Sequence, residues 1–141
     1  MKELLVVIDY QNDFVNGALG FEGAEKLDGP IVEKIREYRS RGADVIFTRD
    51  THRENYLETQ EGRLLPVKHC IKNTDGWEFP TELAPLAEGR KVYEKSAFAS
   101  RQLAEDMLKS YEVMRKAGIE YKDAPVYIPP YEYYNKETEE K

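Results

Sequence analysis

The stretch Leu4-Leu5-Val6-Val7-Ile8, which runs directly into Asp9, decides the fold of this chain. Five consecutive apolar residues are too few for a buried helix, and they favour a strand that is fully buried in a parallel sheet. A helix from Asp28-Gly29-Pro30 to about Arg41 comes next, and Val45-Ile46-Phe47-Thr48 is a second apolar strand. Strand, helix and strand in this order indicate a βαβ unit, and therefore an α/β fold.

The rest of the chain adds further predicted elements to this unit. The first helix has an apolar face of Ile31, Ile35 and Tyr38, with Asp28 as its N-cap and Gly42 as its C-terminal stop. Glu61-Gly62 resembles a turn. The pattern then predicts a short helix over 80–87, a strand over 91–95, a helix over 99–117 and a fourth strand over 126–128 at an edge of the sheet.

Length and composition limit the possible organisation and partners. A chain of 141 residues and 16.4 kDa predicts a single domain over 1–130, followed by a flexible tail over 131–141. The net charge of −6 argues against nucleic-acid binding, which requires a basic surface. No apolar run suggests a membrane span, so no membrane partner is expected. With one cysteine and no leader pattern, a cytoplasmic location is expected.

Charged residues follow the predicted strands at the positions where ligands bind in open α/β sheets. Asp9 follows the first strand, Asp50 the second and Lys95 the third. Because the carboxyl ends of parallel strands meet at one edge, the three side chains are expected to converge there. Each residue alone could equally be structural.

Two histidines and an aspartate form a candidate metal site. Asp50 and His52 lie two residues apart, and His69 is the only other histidine in the chain. Two nitrogens and one oxygen would suit zinc, iron or manganese and leave positions open for substrate. The alternative is that Asp50 is a turn residue and His69 a packed loop residue.

Other residues near these segments allow both functional and structural interpretations. Cys70 could be a nucleophile, but a lone cysteine is more often a small buried apolar residue. Phe14, Trp77 and Phe98 could form an apolar wall for a planar ligand, although Phe98 could also belong to the core. No phosphate-binding loop or dinucleotide fingerprint occurs, so no nucleotide cofactor is expected.

Four ordered segments resemble the isochorismatase-like cysteine hydrolases, which include the nicotinamidases. They cover roughly the first hundred residues: 4–14 with the glycine segment 17–20, then 47–52, 65–70 with 74–77, and 94–98. The resemblance implies a Rossmann-like three-layer sandwich with a mostly parallel sheet. It also implies hydrolysis of a small amide or a related C–N bond, in the manner of a nicotinamidase.

The resemblance also implies roles for the candidate residues. Asp9 would be the general base and Lys95 its catalytic partner, while Phe14 and Trp77 would contact the substrate. A divalent metal, zinc being preferred, would be held by a ligand set that corresponds here to Asp50, His52 and His69. The partner is a small-molecule substrate.

The C-terminal part departs from the family pattern. In the family the nucleophilic cysteine follows the fourth strand, whereas no cysteine follows Cys70 here, and the match fails beyond Tyr111. The expected fold is therefore truncated relative to the family. The alternative function is a catalytically inactive relative that binds a small molecule or metal, or that pairs with another subunit. A missing sheet edge would favour association, and at least a dimer is expected.

Overall fold

The computed structural model describes residues 3–118 of the chain. The chain divides into two compact units, one ending at Ser100 and the other beginning at Arg101. The predicted fourth strand over 126–128 and the predicted tail over 131–141 lie outside the described residues.

The first unit is built on a parallel sheet of three strands. These are β1 (Leu4–Ile8), β2 (Asp44–Asp50) and β3 (Val92–Lys95), in the spatial order β1-β2-β3. Both pairs are parallel, with Ile8 opposite Thr48 and Asp50 opposite Lys95. The α/β class with a parallel sheet, predicted from the apolar runs, is confirmed.

Short helices and turns connect the strands of the first unit, and one long helix begins the second. The α-helices are α1 (Asn12–Val15), α2 (Asp28–Ser40), α3 (Gln60–Leu64), α4 (Ala84–Ala87) and α5 (Arg101–Lys116). Three 3-10 turns add to them, over Ala24–Leu27, Tyr56–Glu58 and Asp75–Trp77. Helix α4 is shorter than the helix predicted over 80–87.

The core lies where α2 and the loop before β3 pack against the sheet. Phe47 in β2 is fully buried, and its ring lies 5.6 Å from that of Phe79. Ile35 of α2 is also fully buried, and Ile31 and Tyr38 pack against the same cluster. The apolar face predicted for this helix is confirmed, because these positions recur at helical spacing.

The first turn of α2 differs from the prediction. Asp28 is the first residue of the helix rather than its N-cap, because the 3-10 turn Ala24–Leu27 continues directly into the helix. The Asp28 carboxylate instead accepts a hydrogen bond of 2.6 Å from the Tyr10 hydroxyl. At the other end, Gly42 takes a φ of +78° and stops the helix as predicted.

Strand β1 is less buried than its sequence predicts. Only Val7 is buried, whereas Ile8 is 66% exposed and Leu4 is 39% exposed. The reason is topological, because within residues 3–118 β1 pairs with β2 alone and forms an edge of the sheet. The expectation of a fully buried strand is therefore wrong for the described part of the chain.

Replacing Phe47 by alanine tests the importance of the core. Phe47→Ala removes a fully buried ring from the middle of the sheet, so we expect the free energy of unfolding to fall by about 3–5 kcal/mol. Urea denaturation measures this loss. Phe98→Ala is the control, because Phe98 is 93% exposed and its loss should change stability by less than about 0.5 kcal/mol. Equal losses in the two variants would contradict the assigned core.

Candidate functional site

An ion pair joins the ends of the two outer strands. Asp9 follows β1 and Lys95 ends β3, and the Lys95 ammonium pairs with Asp9 Oδ2 across the end of β2. Lys95 is buried and also donates a hydrogen bond of 3.1 Å to the Phe98 carbonyl. The strand order thus brings together the two residues predicted to be catalytic.

A residue of β2 fixes the Asp9 carboxylate by a hydrogen bond. The Thr48 hydroxyl, which is buried, donates to Asp9 Oδ1 at 2.6 Å. The Asp9 N–H in turn lies 3.2 Å from the Thr48 carbonyl and 3.1 Å from the Thr48 hydroxyl oxygen. Asp9 has a φ of +50°, a left-handed conformation that is uncommon for residues other than glycine. The strand therefore ends abruptly at Asp9, and the carboxylate is held against Thr48 and Lys95.

A second cluster beside the end of β2 could hold a metal ion. One ligand atom from each of Asp50, His52 and His69 lies within 4.8 Å of the others. Asp50 Oδ2 is 3.1 Å from His52 Nε2 and 3.4 Å from His69 Nε2. Both histidines are buried, and Asp50 is partly buried. The three residues predicted as metal ligands are thus brought together.

The histidine tautomer can be read from the hydrogen bonds of His69. Its Nδ1 lies 2.8 Å from the Val67 carbonyl oxygen, which can only accept, so Nδ1 carries the proton. The lone pair of Nε2 in the neutral ring then faces the Asp50 carboxylate. Such an arrangement is repulsive unless a cation or a proton lies between the two groups, and it is the arrangement that a divalent metal requires.

A short parallel bridge brings His69 to His52. The His52 N–H donates to the Cys70 carbonyl at 2.9 Å, and the Lys72 N–H donates to the His52 carbonyl at 2.9 Å. These bonds continue the strand pairing beyond β2 and fix the returning loop against it. The separation of 17 positions between the two histidines in the sequence therefore becomes a distance between ring centroids of 4.7 Å.

Aromatic rings enclose the two histidines. Tyr56, which is buried, lies 4.6 Å from the His52 ring and 5.0 Å from the His69 ring between centroids. Burial raises the pKa of the Tyr56 hydroxyl, and the charges of Glu61 and Asp50 raise it further. The tyrosine therefore stays neutral near neutral pH and forms an apolar wall for the cluster.

Phe14 and Trp77, the aromatic residues predicted to bind substrate, have different surroundings in the structure. Phe14 is partly buried, and its ring meets that of His69 edge-on at 5.7 Å. Trp77 is buried, with its indole N–H donating to the Thr51 hydroxyl at 2.9 Å and the Arg49 guanidinium over its ring at 4.2 Å. Phe98 is 93% exposed, so the alternative that placed it in the core is wrong.

Cys70 has none of the properties of an activated thiol. It is fully buried, and its backbone is held at a φ of +47°. Burial raises the pKa of the Cys70 thiol far above its usual range, and the negative charges of Asp50, Asp13 and Asp9 raise it further. A nucleophilic cysteine needs the opposite surroundings, namely positive charge and access. The structure therefore favours the structural interpretation of this residue.

Two residues at the site were not singled out from the sequence. Glu61 Oε1 lies 3.8 Å from His52 Nε2, and Glu61 belongs to the first turn of α3 rather than to an isolated turn. The signal for that helix is Thr59, whose hydroxyl accepts the Gly62 N–H at 3.0 Å as an N-cap. Gln11, which is fully buried, contacts the backbone of Asp50, and no local pattern indicates this contact.

Comparison with known proteins places these residues in a family context. The model of the isochorismatase domain matches residues 3–118. An isochorismatase family protein of Bacillus subtilis (strain 168), named PncA and described as uncharacterized, is 37% identical over 61% of this chain and 48% of its own length. The nicotinamidase of Schizosaccharomyces pombe is 26% identical over 56% of this chain and 46% of its own length. The chain spans about half the length of these curated relatives.

Solved structures show the same relationship. The nicotinamidase/pyrazinamidase PncA of Bacillus subtilis superposes with a TM-score of 0.66 at 34% identity, covering 78% of this chain and 66% of that protein. The pyrazinamidase of Pyrococcus horikoshii in complex with zinc superposes with a TM-score of 0.61 at 32% identity. The match covers 84% of this chain and 66% of that protein. N-carbamoylsarcosine amidase of Thermoplasma acidophilum superposes with a TM-score of 0.61 at 32% identity. The match covers 84% of this chain and 64% of that protein.

None of the helices in the described part of the chain combines the length and the apolar character needed to cross a membrane.

The environment of Cys70 predicts that its thiol does not react in the folded protein. Because the raised pKa keeps the thiol protonated and burial blocks access, alkylation by iodoacetamide at pH 8 should be at least about tenfold slower than in urea. Mass spectrometry of quenched samples measures both rates. Equal rates in the folded and the unfolded chain would contradict the buried position.

Proposed function

Because the chain belongs to the isochorismatase family, we propose that it hydrolyses the C–N bond of a small amide, as a nicotinamidase does. The observation that carries the proposal is the Asp9–Lys95 ion pair at the carboxyl edge of the sheet that also holds the Asp50, His52 and His69 cluster. Relatives that are named nicotinamidases and amidases support this reaction class. They favour it over a catalytically inactive binding domain.

Asp9 is the general base of the proposed reaction. One of its carboxylate oxygens accepts the Thr48 hydroxyl and the other faces the Lys95 ammonium, so its orientation is fixed before substrate arrives. Proton transfer to a group that is already oriented avoids the entropy of arranging it. Lys95 places a positive charge where negative charge collects during attack on the amide.

Water is the nucleophile that fits these surroundings, because the buried Cys70 thiol stays protonated. The water oxygen bonds to the amide carbonyl carbon while one water proton passes to the Asp9 carboxylate. The C–N bond then breaks, and the departing nitrogen takes that proton back from Asp9. The products are a carboxylic acid and ammonia or an amine, so atoms and electrons balance.

Asp50, His52 and His69 are the residues that would hold a divalent metal ion, with zinc preferred. Two neutral imidazole nitrogens and a carboxylate are a usual ligand set for zinc, and Glu61 at 3.8 Å from His52 offers a further carboxylate. The His69 Nδ1–H bond to the Val67 carbonyl orients the ring as metal-binding histidines require. A bound metal would act as a Lewis acid toward the substrate.

Phe14 and Trp77 are the proposed apolar contacts for the substrate. Phe14 lies against His69 and so borders the cluster directly. The Trp77 indole is held by its hydrogen bond to the Thr51 hydroxyl and by the Arg49 guanidinium over its ring. Flat rings of this kind suit a planar amide such as an aromatic carboxamide.

Self-association and a cytoplasmic location are also proposals. Leu4 and Ile8 have exposed side chains, and their strand β1 is an edge of the sheet within residues 3–118. Both observations support the proposal that a second copy covers this edge.

Amide hydrolysis is tested with purified protein, nicotinamide and a panel of small amides, with and without zinc. We expect ammonia release, and we expect Asp9→Asn to lower kcat/KM by about 10²- to 10⁴-fold because it removes the general base. Cys70→Ala should retain turnover, since its thiol has no part in the reaction. Ammonia release by the wild type that is no faster than release by Asp9→Asn would contradict the proposed activity. Loss of turnover in Cys70→Ala alone would identify the thiol as the nucleophile.

Metal content is tested by elemental analysis after exposure to zinc and gel filtration. The wild type is expected to retain close to one equivalent of zinc, and His52→Ala much less, because it removes one of three ligands. Glu37→Gln, which changes an exposed carboxylate on α2, is the control and should match the wild type. Equal zinc content in all three proteins would contradict the metal site.

A further inference from the structure

We propose that Gln11 and Asp13, in the segment that follows β1, are positioning residues that hold the two chain segments carrying the metal-ligand candidates. Gln11 binds the segment of Asp50, and Asp13 binds the segment of His69 through its neighbour Cys70. The inference rests on the proposed metal site but concerns residues outside it. Neither side chain belongs to the cluster of three ligand candidates.

Gln11 makes three side-chain hydrogen bonds, all of them to backbone groups of Asp50 and Trp77. Its Oε1 accepts the Asp50 N–H at 2.7 Å, and its Nε2 donates to the Asp50 carbonyl at 2.8 Å. The same Nε2 donates to the Trp77 carbonyl at 2.9 Å. The side chain is fully buried, so these bonds are shielded from water. Gln11 therefore links a candidate metal ligand to an aromatic wall of the site.

The role of Gln11 follows from the way β1 ends. The strand pairs with β2 up to Ile8 opposite Thr48, and the chain turns away at Asp9 with a φ of +50°. The pairing of β1 with β2 therefore ends two residues before Asp50, and within residues 3–118 no strand pairs with Asp50 on that side. The primary amide of Gln11 offers both an acceptor and a donor, and with them it bonds to the N–H and the C=O of Asp50.

Asp13 holds the second segment by a similar contact. Its Oδ2 accepts the Cys70 N–H at 2.7 Å and its Oδ1 accepts the Ala18 N–H at 3.1 Å. Cys70 has a φ of +47°, which is costly for a residue with a β-carbon, so a charged acceptor at its N–H stabilises this conformation. His69 directly precedes it, and the direction of its ring depends on this turn.

Glycine at position 76 leaves room for the Asp13 carboxylate. A β-carbon at Gly76 would lie 2.1 Å from Asp13 Oδ2, although the backbone of Gly76 does not need a left-handed conformation. The three atoms nearest to this position all belong to the carboxylate that binds Cys70. Gly76→Ala consequently displaces Asp13 from its partner without altering Asp13 itself.

Metal binding distinguishes positioning from general support of the fold. The variants are Gln11→Met, Asp13→Ala and Gly76→Ala. The control is Tyr10→Phe at the adjacent residue, which removes partly buried hydrogen bonds to the Ala24 carbonyl and the Asp28 carboxylate. Competition with a chelator gives the zinc affinity, and the visible bands of bound cobalt report the ligand geometry. We expect about 10- to 100-fold weaker zinc binding and shifted cobalt bands in the three variants. Tyr10→Phe should lose stability but keep both properties.

Amide hydrogen exchange tests the same contacts without metal. In Gln11→Met the Asp50 amide should exchange faster relative to the Phe47 amide, which bonds to Lys91 and serves as an internal reference. In Asp13→Ala and Gly76→Ala the Cys70 amide should exchange faster relative to the same Phe47 reference. If Gln11→Met fails to fold, Gln11→Glu replaces it, because glutamate keeps the size and the acceptor but loses the donors.

The two measurements separate the possible failures. If the wild type binds no zinc yet the Asp50 and Cys70 amides respond selectively, the metal proposal fails and the positioning role stands. Unchanged relative exchange of these amides overturns the positioning role, whatever the zinc affinity. Wild-type zinc affinity and cobalt bands in all three variants overturn it as well, because the ligands would then keep their places without the two contacts.

Discussion

The parallel pairing of three strands is the constraint on which the site depends. Ile8 lies opposite Thr48, and Asp50 lies opposite Lys95. The ends of β1 and β3 therefore lie on either side of the end of β2. An aspartate and a lysine that are far apart in the sequence then meet as a largely buried ion pair. A change of register by one residue would turn one of these side chains to the other face of the sheet. The catalytic candidates are therefore set by backbone pairing rather than by the loops.

The loops complete the site by extending this pairing with less regular contacts. The bridge between His52 and Ile71 adds a piece of parallel ladder beyond β2, and Gln11 supplies a side-chain amide where β1 has already turned away. Left-handed backbone at Asp9 and Cys70 marks the two points where the chain bends sharply at the site. Residues in such conformations persist only where surrounding contacts stabilise them. Here the Asp9 N–H donates a hydrogen bond to the Thr48 hydroxyl, and the Cys70 N–H donates one to the Asp13 carboxylate.

Much of the fold could be predicted from local patterns. The apolar runs at β1 and β2, the face of Ile31 and Ile35, and the stop at Gly42 each depend on neighbouring residues alone. The predictions that were wrong depended on structure that the apolar pattern does not reveal, some of it next to the residue in question and some of it far away in the sequence. Asp28 is not a cap because a 3-10 turn precedes it, and β1 is not fully buried because it borders the described sheet.

The sequence by itself determined the strand ends that carry Asp9, Asp50 and Lys95, because short apolar runs and the polar residues after them are local features. It also offered Asp50, His52 and His69 as metal-ligand candidates, and it carried the resemblance that implies the same set. Only the tertiary structure decided that His69 reaches His52 and that Gln11 binds Asp50. His52 and His69 are separated by a largely irregular stretch of chain, whereas Gln11 and Asp50 are separated by α2 and most of β2. Both contacts are set by hydrogen bonds and packing between distant segments, which no local periodicity encodes.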